Sequence, residues 1–236
     1  MEIQIPNNWQ PRDYQKPTWK GLCGGKKRAC LLAHRRWGKD DVALHWAAVS
    51  AMEKPATYWH MLPQAAQARK AIWEAVNPHT GIKRIDEAFP KEIRETTRED
   101  QMLIKFINGS TWQVVGSDNY NSLVGSPPYG VTYSEWSLCD PTSWAYIKPI
   151  LVENGGWAIF IYTARGKNHG YSLYNMAMKS ESWYCEKSTV ADTGVFTEEQ
   201  LQEELSEYQA TYGEDAGKAF WLQEYYCSFN AALPGA

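Results

Sequence analysis

Apolar and polar positions follow two rhythms along this chain. Short, nearly continuous apolar runs recur at 28–33, 57–61, 130–133 and 157–162, and a further aromatic stretch lies at 183–188. Such runs read as strands, the one at 57–61 helped by its aromatic and β-branched side chains. Between them lie stretches with apolar residues at helical spacing: 42–52, 64–76 (Ala68, Ile72, Ala75 and Val76 on one face), 141–153, 171–180, 197–212 and 215–223. Thr197-Glu198-Glu199-Gln200 has the form of a capping box. Lys54-Pro55 and Asn154-Gly155-Gly156 end the helices before them. This alternation predicts a mostly parallel sheet with crossover helices. Asn108-Gly109, between the runs 102–107 and 111–115, predicts a β-hairpin. The segment 77–100 is charged and weakly patterned, 116–129 reads as a loop, and a short helical stretch follows 11–15 and ends near Gly24-Gly25.

Candidate chemistry gathers where strands end, the side of an open α/β sheet on which ligands sit. The first strand runs into Ala33-His34-Arg35-Arg36-Trp37-Gly38-Lys39-Asp40-Asp41 and then a helix. Strand, tight loop, helix is the setting in which backbone N–H groups, a helix N-terminus and a lysine face one phosphate. Gly38-Lys39 fits the G-x-x-x-x-G-K-[ST] pattern, whereas Ala33 replaces its first glycine and Asp40 its hydroxyl residue. A basic surface turn before an ordinary helix is the plainer reading of the loop alone. The strand at 130–133 is followed by Ser134-Glu135, where a carboxylate can act as general base on water. The strand at 157–162 is followed by Thr163-Ala164-Arg165, polar groups able to sense a γ-phosphate. Phosphate-loop enzymes usually hold Mg²⁺ with a loop hydroxyl and a distant Asp. Here the two types are exchanged, so Asp40 is expected to be the carboxylate near Mg²⁺ and Ser134 the secondary group. Asp41 is equally well placed simply to face the helix dipole. Arg35 is expected to reach the γ-phosphate in cis, with Arg36 either beside it or a solvated charge. Gln15 offers a donor and an acceptor to an adenine edge, and Arg12 or Tyr14 can stack on the ring.

Composition narrows the field. In 236 residues, 44% hydrophobic and 22% charged with a net charge of −3, there is room for a sizeable core but no global basicity, so any nucleic-acid contact is a local patch. The 12 tryptophans point first to a rigid aromatic core. The 5 cysteines are scattered, and Cys23, Cys30 and His34 have no standard zinc spacing. No run is long enough to span a membrane, and residues 1–6 do not resemble a secretory signal.

Taken together, these residues resemble the ATPase domain of bacteriophage large terminase subunits, the motors that package viral DNA. Pro11-Arg12-Asp13-Tyr14-Gln15 matches the adenine motif, 34–41 a Walker A variant, Val131-Thr132-Tyr133-Ser134-Glu135 Walker B and Thr163-Ala164-Arg165 the coupling motif. Gly116-Ser117-Asp118 and Ser122-Leu123-Val124-Gly125 precede the second of these strands as in the family. The resemblance implies a RecA-like (ASCE) P-loop NTPase core with a β-hairpin and a small lid, ATP and Mg²⁺ as cofactors, and catalysis by Glu135, Arg35 and Lys39. It implies double-stranded DNA, a portal protein and a small terminase subunit as partners, self-association into a ring, expected to be a pentamer, and work in the cytoplasm of the infected host. Residues 1–190 are then the core, 191–230 a lid and linker, and 231–236 the start of a linker to a nuclease domain that this chain lacks. Val124 stands where relatives carry an arginine acting on the neighbouring subunit, leaving Arg69, Arg84, Arg94 and Arg98 open for that role and Lys167, Asn168 and His169 open for DNA. A helicase-like remodelling ATPase and a nucleotide-binding scaffold without turnover are the alternatives.

Overall fold

The computed structural model describes residues 4–123 and 125–230, so Val124 and the expected linker at 231–236 lie outside the described residues. An N-terminal segment leads through a 3₁₀ turn at Asp13–Gln15 into α1 (Lys16–Cys23) and β1 (Arg28–Ala33). The phosphate-loop candidate then opens α2 (Lys39–Glu53), which Lys54 closes in an extended conformation before Pro55. β2 (Thr57–Leu62) follows, then α3 (Ala65–Ala68), α4 (Arg84–Ala88), β3 (Arg94–Arg98), β4 (Leu103–Phe106) and β5 (Thr111–Gly116). β6 (Gly130–Ser134), α5 (Pro141–Glu153), β7 (Trp157–Tyr162), α6 (His169–Met178) and β8 (Trp183–Ser188) complete the sheet, and α7 (Val190–Thr193), α8 (Glu198–Tyr212) and α9 (Glu214–Tyr226) end the chain.

Among the described residues, eight strands form one sheet in the order β3-β4-β5-β2-β6-β7-β1-β8. Pairing is parallel from β5 to β8 and antiparallel only at the β3-β4-β5 margin. Side-chain alternation sorts the strands onto two buried faces. Ala29, Leu31 and Ala33 of β1, with Trp157, Ile159 and Ile161 of β7, pack beneath α1 and α2. Cys30 and Leu32, with Ala158, Phe160 and Tyr162, pack beneath α5 and α6. A run apolar at every position is what a sheet covered on both faces requires. The tryptophans do serve the core, and Trp37, Trp73, Trp112 and Trp136 are fully buried. No helix among the described residues is long and apolar enough to cross a membrane.

Two expectations need correction. The helix expected at 64–76 is only α3 followed by a π turn, Arg69–Trp73, in which Glu74 N–H reaches the Arg69 carbonyl. The wider turn puts the adjacent Ile72 and Trp73 both into the core, where Trp73 stacks on Trp112 at 6.3 Å. The segment 77–100, read as charged and weakly patterned with no element assigned, contains α4 and β3. β3 is an edge strand with almost no buried residue, so it carries no apolar alternation to read.

Phe160 lies at the centre of the α5–α6 face, stacked on Tyr133 at 4.9 Å and edge-on to Trp136 and Trp144. Phe160→Ala is expected to cost about 3–5 kcal/mol of unfolding free energy, measured by urea denaturation with an unchanged m-value.

Candidate active site

The tips of β6, β7 and β1 lie side by side, with Ser134 opposite Ile161 and Leu32 opposite Tyr162. That register brings the three expected motifs together. The loop after β1 is held by backbone bonds from His34 N–H to the Ser188 carbonyl and from Arg35 N–H to the Glu224 carbonyl, each 3.0 Å. Trp37 points inward and donates its indole N–H to Ser188 Oγ at 2.9 Å. Gly38, at φ 87°, turns the chain into α2. A side chain there would meet Gln15 Nε2 at 2.8 Å and Arg12 Nη1 at 2.9 Å, so glycine is required twice over. His34 is buried between the Arg35 carbonyl and Thr193 Oγ1, and burial lowers its pKa.

Lys39 is buried, its ammonium 3.0 Å from Thr163 Oγ1 and 3.3–3.4 Å from the His34 and Ala33 carbonyls. Thr163 in turn donates to the Ala33 carbonyl at 3.0 Å, so the motif after β7 directly supports the lysine. Ala164 is fully buried. Asp40 Oδ1 accepts from Ser134 Oγ at 2.7 Å and from His60 Nε2 at 3.0 Å. Burial alone would raise the pKa of this carboxyl, but the His60 and Ser134 hydrogen bonds and the Lys39 charge outweigh it and hold it at about 2. Asp40 is therefore ionised at neutral pH. Glu135 takes a left-handed conformation (φ 55°) directly beyond β6. Burial raises its pKa, with the Asp40 charge adding to the rise and Lys39, Arg35 and Arg165 opposing it.

Arg35 and Arg165 share one carboxylate that the sequence did not announce. Glu224 of α9 accepts from Arg35 Nε and from Arg165 Nη1, both at 2.6 Å, and is itself buried. Its neighbour Gln223 accepts from Gly166 N–H. Arg36, exposed at φ 70°, has no ion pair or side-chain hydrogen bond among the described residues.

The N-terminal segment clamps the loop from outside. Gln15 and Tyr14 both donate to the Trp37 carbonyl (3.1 and 3.3 Å), and Gln15 Oε1 accepts from Arg12 N–H. Gln15 is fully buried, its amide occupied by backbone rather than turned to the open space. Asp41 accepts from the Trp9 indole at 2.9 Å, tying the same segment to α2. Arg12, Tyr14 and Asp41 line a cleft of about 890 Å³ with Arg35, Arg36, Gly38, Lys39, Asp40, Glu135 and Thr163. The same cleft is also lined by Asn77-Pro78-His79 and Arg84, from the segment read as charged and weakly patterned.

Other expectations sort by their contacts. Arg94 is buried on the Phe89 and Ile85 carbonyls and Asp86, and Arg69 is bonded to the Glu99 and Asp100 carbonyls. Arg98 reaches Gln101, while Arg84 faces this chain's own cleft. Asn168 caps α6 and bonds the Ser137 carbonyl, and His169 bonds the Trp136 carbonyl. Lys167 is exposed, its ammonium 5.9 Å from the Tyr171 ring centre.

No cluster of three or more His, Cys, Asp or Glu able to hold a metal by itself exists among the described residues. The donors present, a carboxylate whose Oδ2 has no bond among the described residues and a hydroxyl, instead suit Mg²⁺ delivered with phosphates. That ion commonly takes only one or two carboxylates and completes its shell with water and phosphate oxygen.

No protein-family model and no curated protein matches the chain. Solved structures do. A variant of the large terminase ATPase domain of Thermus phage P74-26 superposes with a TM-score of 0.72 at 18% identity, covering 94% of this chain and 95% of that one. The P74-26 ATPase domain in another structure gives 0.67, also at 18%. The large terminase of a second thermophilic bacteriophage, in complex with ADP, gives 0.69 at 13% identity, and this chain spans 54% of its length. At such identities the likeness establishes the fold: that of large terminase ATPase domains, RecA-like with a mostly parallel sheet.

Glu224 predicts a stability effect. Glu224→Ala leaves the partly buried Arg165 unpaired and is expected to cost about 3 kcal/mol in urea denaturation, with Glu224→Gln costing less because it keeps one acceptor.

Proposed function

We propose that this chain is a Mg²⁺-dependent ATPase motor domain that translocates double-stranded viral DNA into a procapsid. The observation that carries the reading is the convergence of Lys39, Asp40, Ser134, Glu135 and Thr163 at three adjacent strand tips of a RecA-like sheet. Loop amides at 35–39 and the α2 N-terminus receive phosphate, and Lys39 exchanges its carbonyl contacts for phosphate oxygen. Asp40 and Ser134 hold Mg²⁺, which neutralises phosphate charge. Glu135 orients and deprotonates the attacking water, its raised pKa favouring proton uptake. Arg35 leaves Glu224 to meet the γ-phosphate, Arg12 and Tyr14 border the adenine end, joined by Arg36 and the His34–Trp37 backbone, and Gln15 supports that backbone from behind. Thr163, Ala164 and Arg165 couple turnover to α8 and α9, which act as the lid. Structures of the second phage's large terminase with ADP and with ATP-γ-S support a nucleotide as ligand. By the same analogy the motor works as a ring, a pentamer, with portal protein and small terminase subunit in the host cytoplasm.

Steady-state phosphate release tests this. Glu135→Gln is expected to lower turnover by about a hundredfold or more with nucleotide affinity retained, because general-base loss spares binding. Lys39→Ala is expected to abolish both. Turnover that survives Glu135→Gln would sink the catalytic assignment. Turnover indifferent to double-stranded DNA would leave an ATPase but remove the translocase.

A further inference from the structure

We propose that His60 is a positioning residue for the Asp40 carboxylate, fixing Oδ1 so that Oδ2 is presented to the divalent cation of a bound nucleotide; this rests on the metal reading above. A serine or threonine hydroxyl at the start of such a helix is short and has little freedom to mis-aim. An aspartate there is longer, carries a full charge and turns about one further bond, so it needs an external brace. The structure supplies two donors from two different strands. Ser134 Oγ lies 2.7 Å from Oδ1 at the end of β6, and His60 Nε2 lies 3.0 Å from the same oxygen in β2. β2 and β6 are paired with His60 opposite Thr132, so sheet register sets how far His60 reaches. His60 is fully buried, and its ring lies 6.2 Å from Trp112, tilted at 64°, which restricts its rotation.

Both donors act on one oxygen, and no bond to Oδ2 exists among the described residues. Donation through Nε2 requires the proton on that nitrogen, and Nδ1 is buried without a partner, so the ring has no second hydrogen bond to serve. A histidine used only for packing has no reason to aim its donor at the acidic side chain that follows the phosphate loop's lysine. Such outer contacts to a metal-holding carboxylate typically govern metal affinity tenfold to a hundredfold.

The test measures binding of a fluorescent ATP analogue to the full chain with Mg²⁺ and again with EDTA, taking the ratio of the affinities. His60→Leu removes the donor at similar volume, and His60→Gln returns a donor near the Nε2 position. His60→Leu is expected to lower the ratio by about tenfold or more with metal-free affinity unchanged, and His60→Gln to restore most of it. If His60→Leu does not fold, as judged by circular dichroism, His60→Asn replaces it, being polar but too short to reach Asp40. A ratio equal to that of the unaltered chain, an equal loss in His60→Gln, or a parallel loss of metal-free affinity would overturn the inference. Asp40→Asn separates it from the parent reading. If that variant keeps the ratio, the metal assignment itself fails. If it loses the ratio while His60→Leu does not, only the role of His60 fails.

Discussion

The shared register of β6, β7 and β1 is the constraint on which the site depends. Parallel strands cannot be joined by tight turns, so each reaches its neighbour through a long crossover, and residues distant in the chain meet only because their strands end at one level. Ser134 and Thr163 reach the same loop in this way, one through Asp40 and the other through Lys39. A slip of a single residue in β6 would turn Ser134 to the other face and lose the Asp40 contact together with the buried alternation that fixes the strand.

Charge within this frame is paired rather than accumulated. Lys39 sits among carbonyls and Thr163, Asp40 is held by two hydrogen-bond donors and a nearby cation, and Glu224 answers two arginines at once. Buried charges are tolerable only when so satisfied. Glu135 departs from this pattern. It is a carboxylate beside another carboxylate, in a left-handed backbone, with its protonation made easier rather than harder. Perturbation of that direction is common among groups that exchange protons, though structural networks produce it too.

Much of this was legible in the sequence because each signal was local. The strands at 28–33 and 157–162 carry uninterrupted apolar runs, and the helix at 141–153 shows apolar residues at helical spacing up to its stop at Asn154-Gly155-Gly156. The loop 34–41, Ser134-Glu135 and Thr163-Arg165 could be singled out because each follows such a run. His60 and Glu224 could not. His60 lies within an apolar strand, where a lone histidine reads as core, and its partner is decided by β2 lying next to β6. Glu224 lies in an aromatic run, Trp221 to Tyr226, where a carboxylate among buried positions is a hint of an ion pair but not of its partners. α4 is too short, and β3 too exposed, to show a period.

The exposed margin of the sheet has a consequence for how the molecule meets others. β3 leaves one edge of the ladder open, and open backbone edges recruit foreign strands. Here the edge is short and reads Arg94-Glu95-Thr96-Thr97-Arg98, with a register irregularity between Arg94 and Thr96 against β4. Charged side chains and a kinked ladder discourage strand addition. A neighbouring molecule approaching from this side therefore meets ionic side chains that can be exchanged and released, not a backbone seam that would lock the two together.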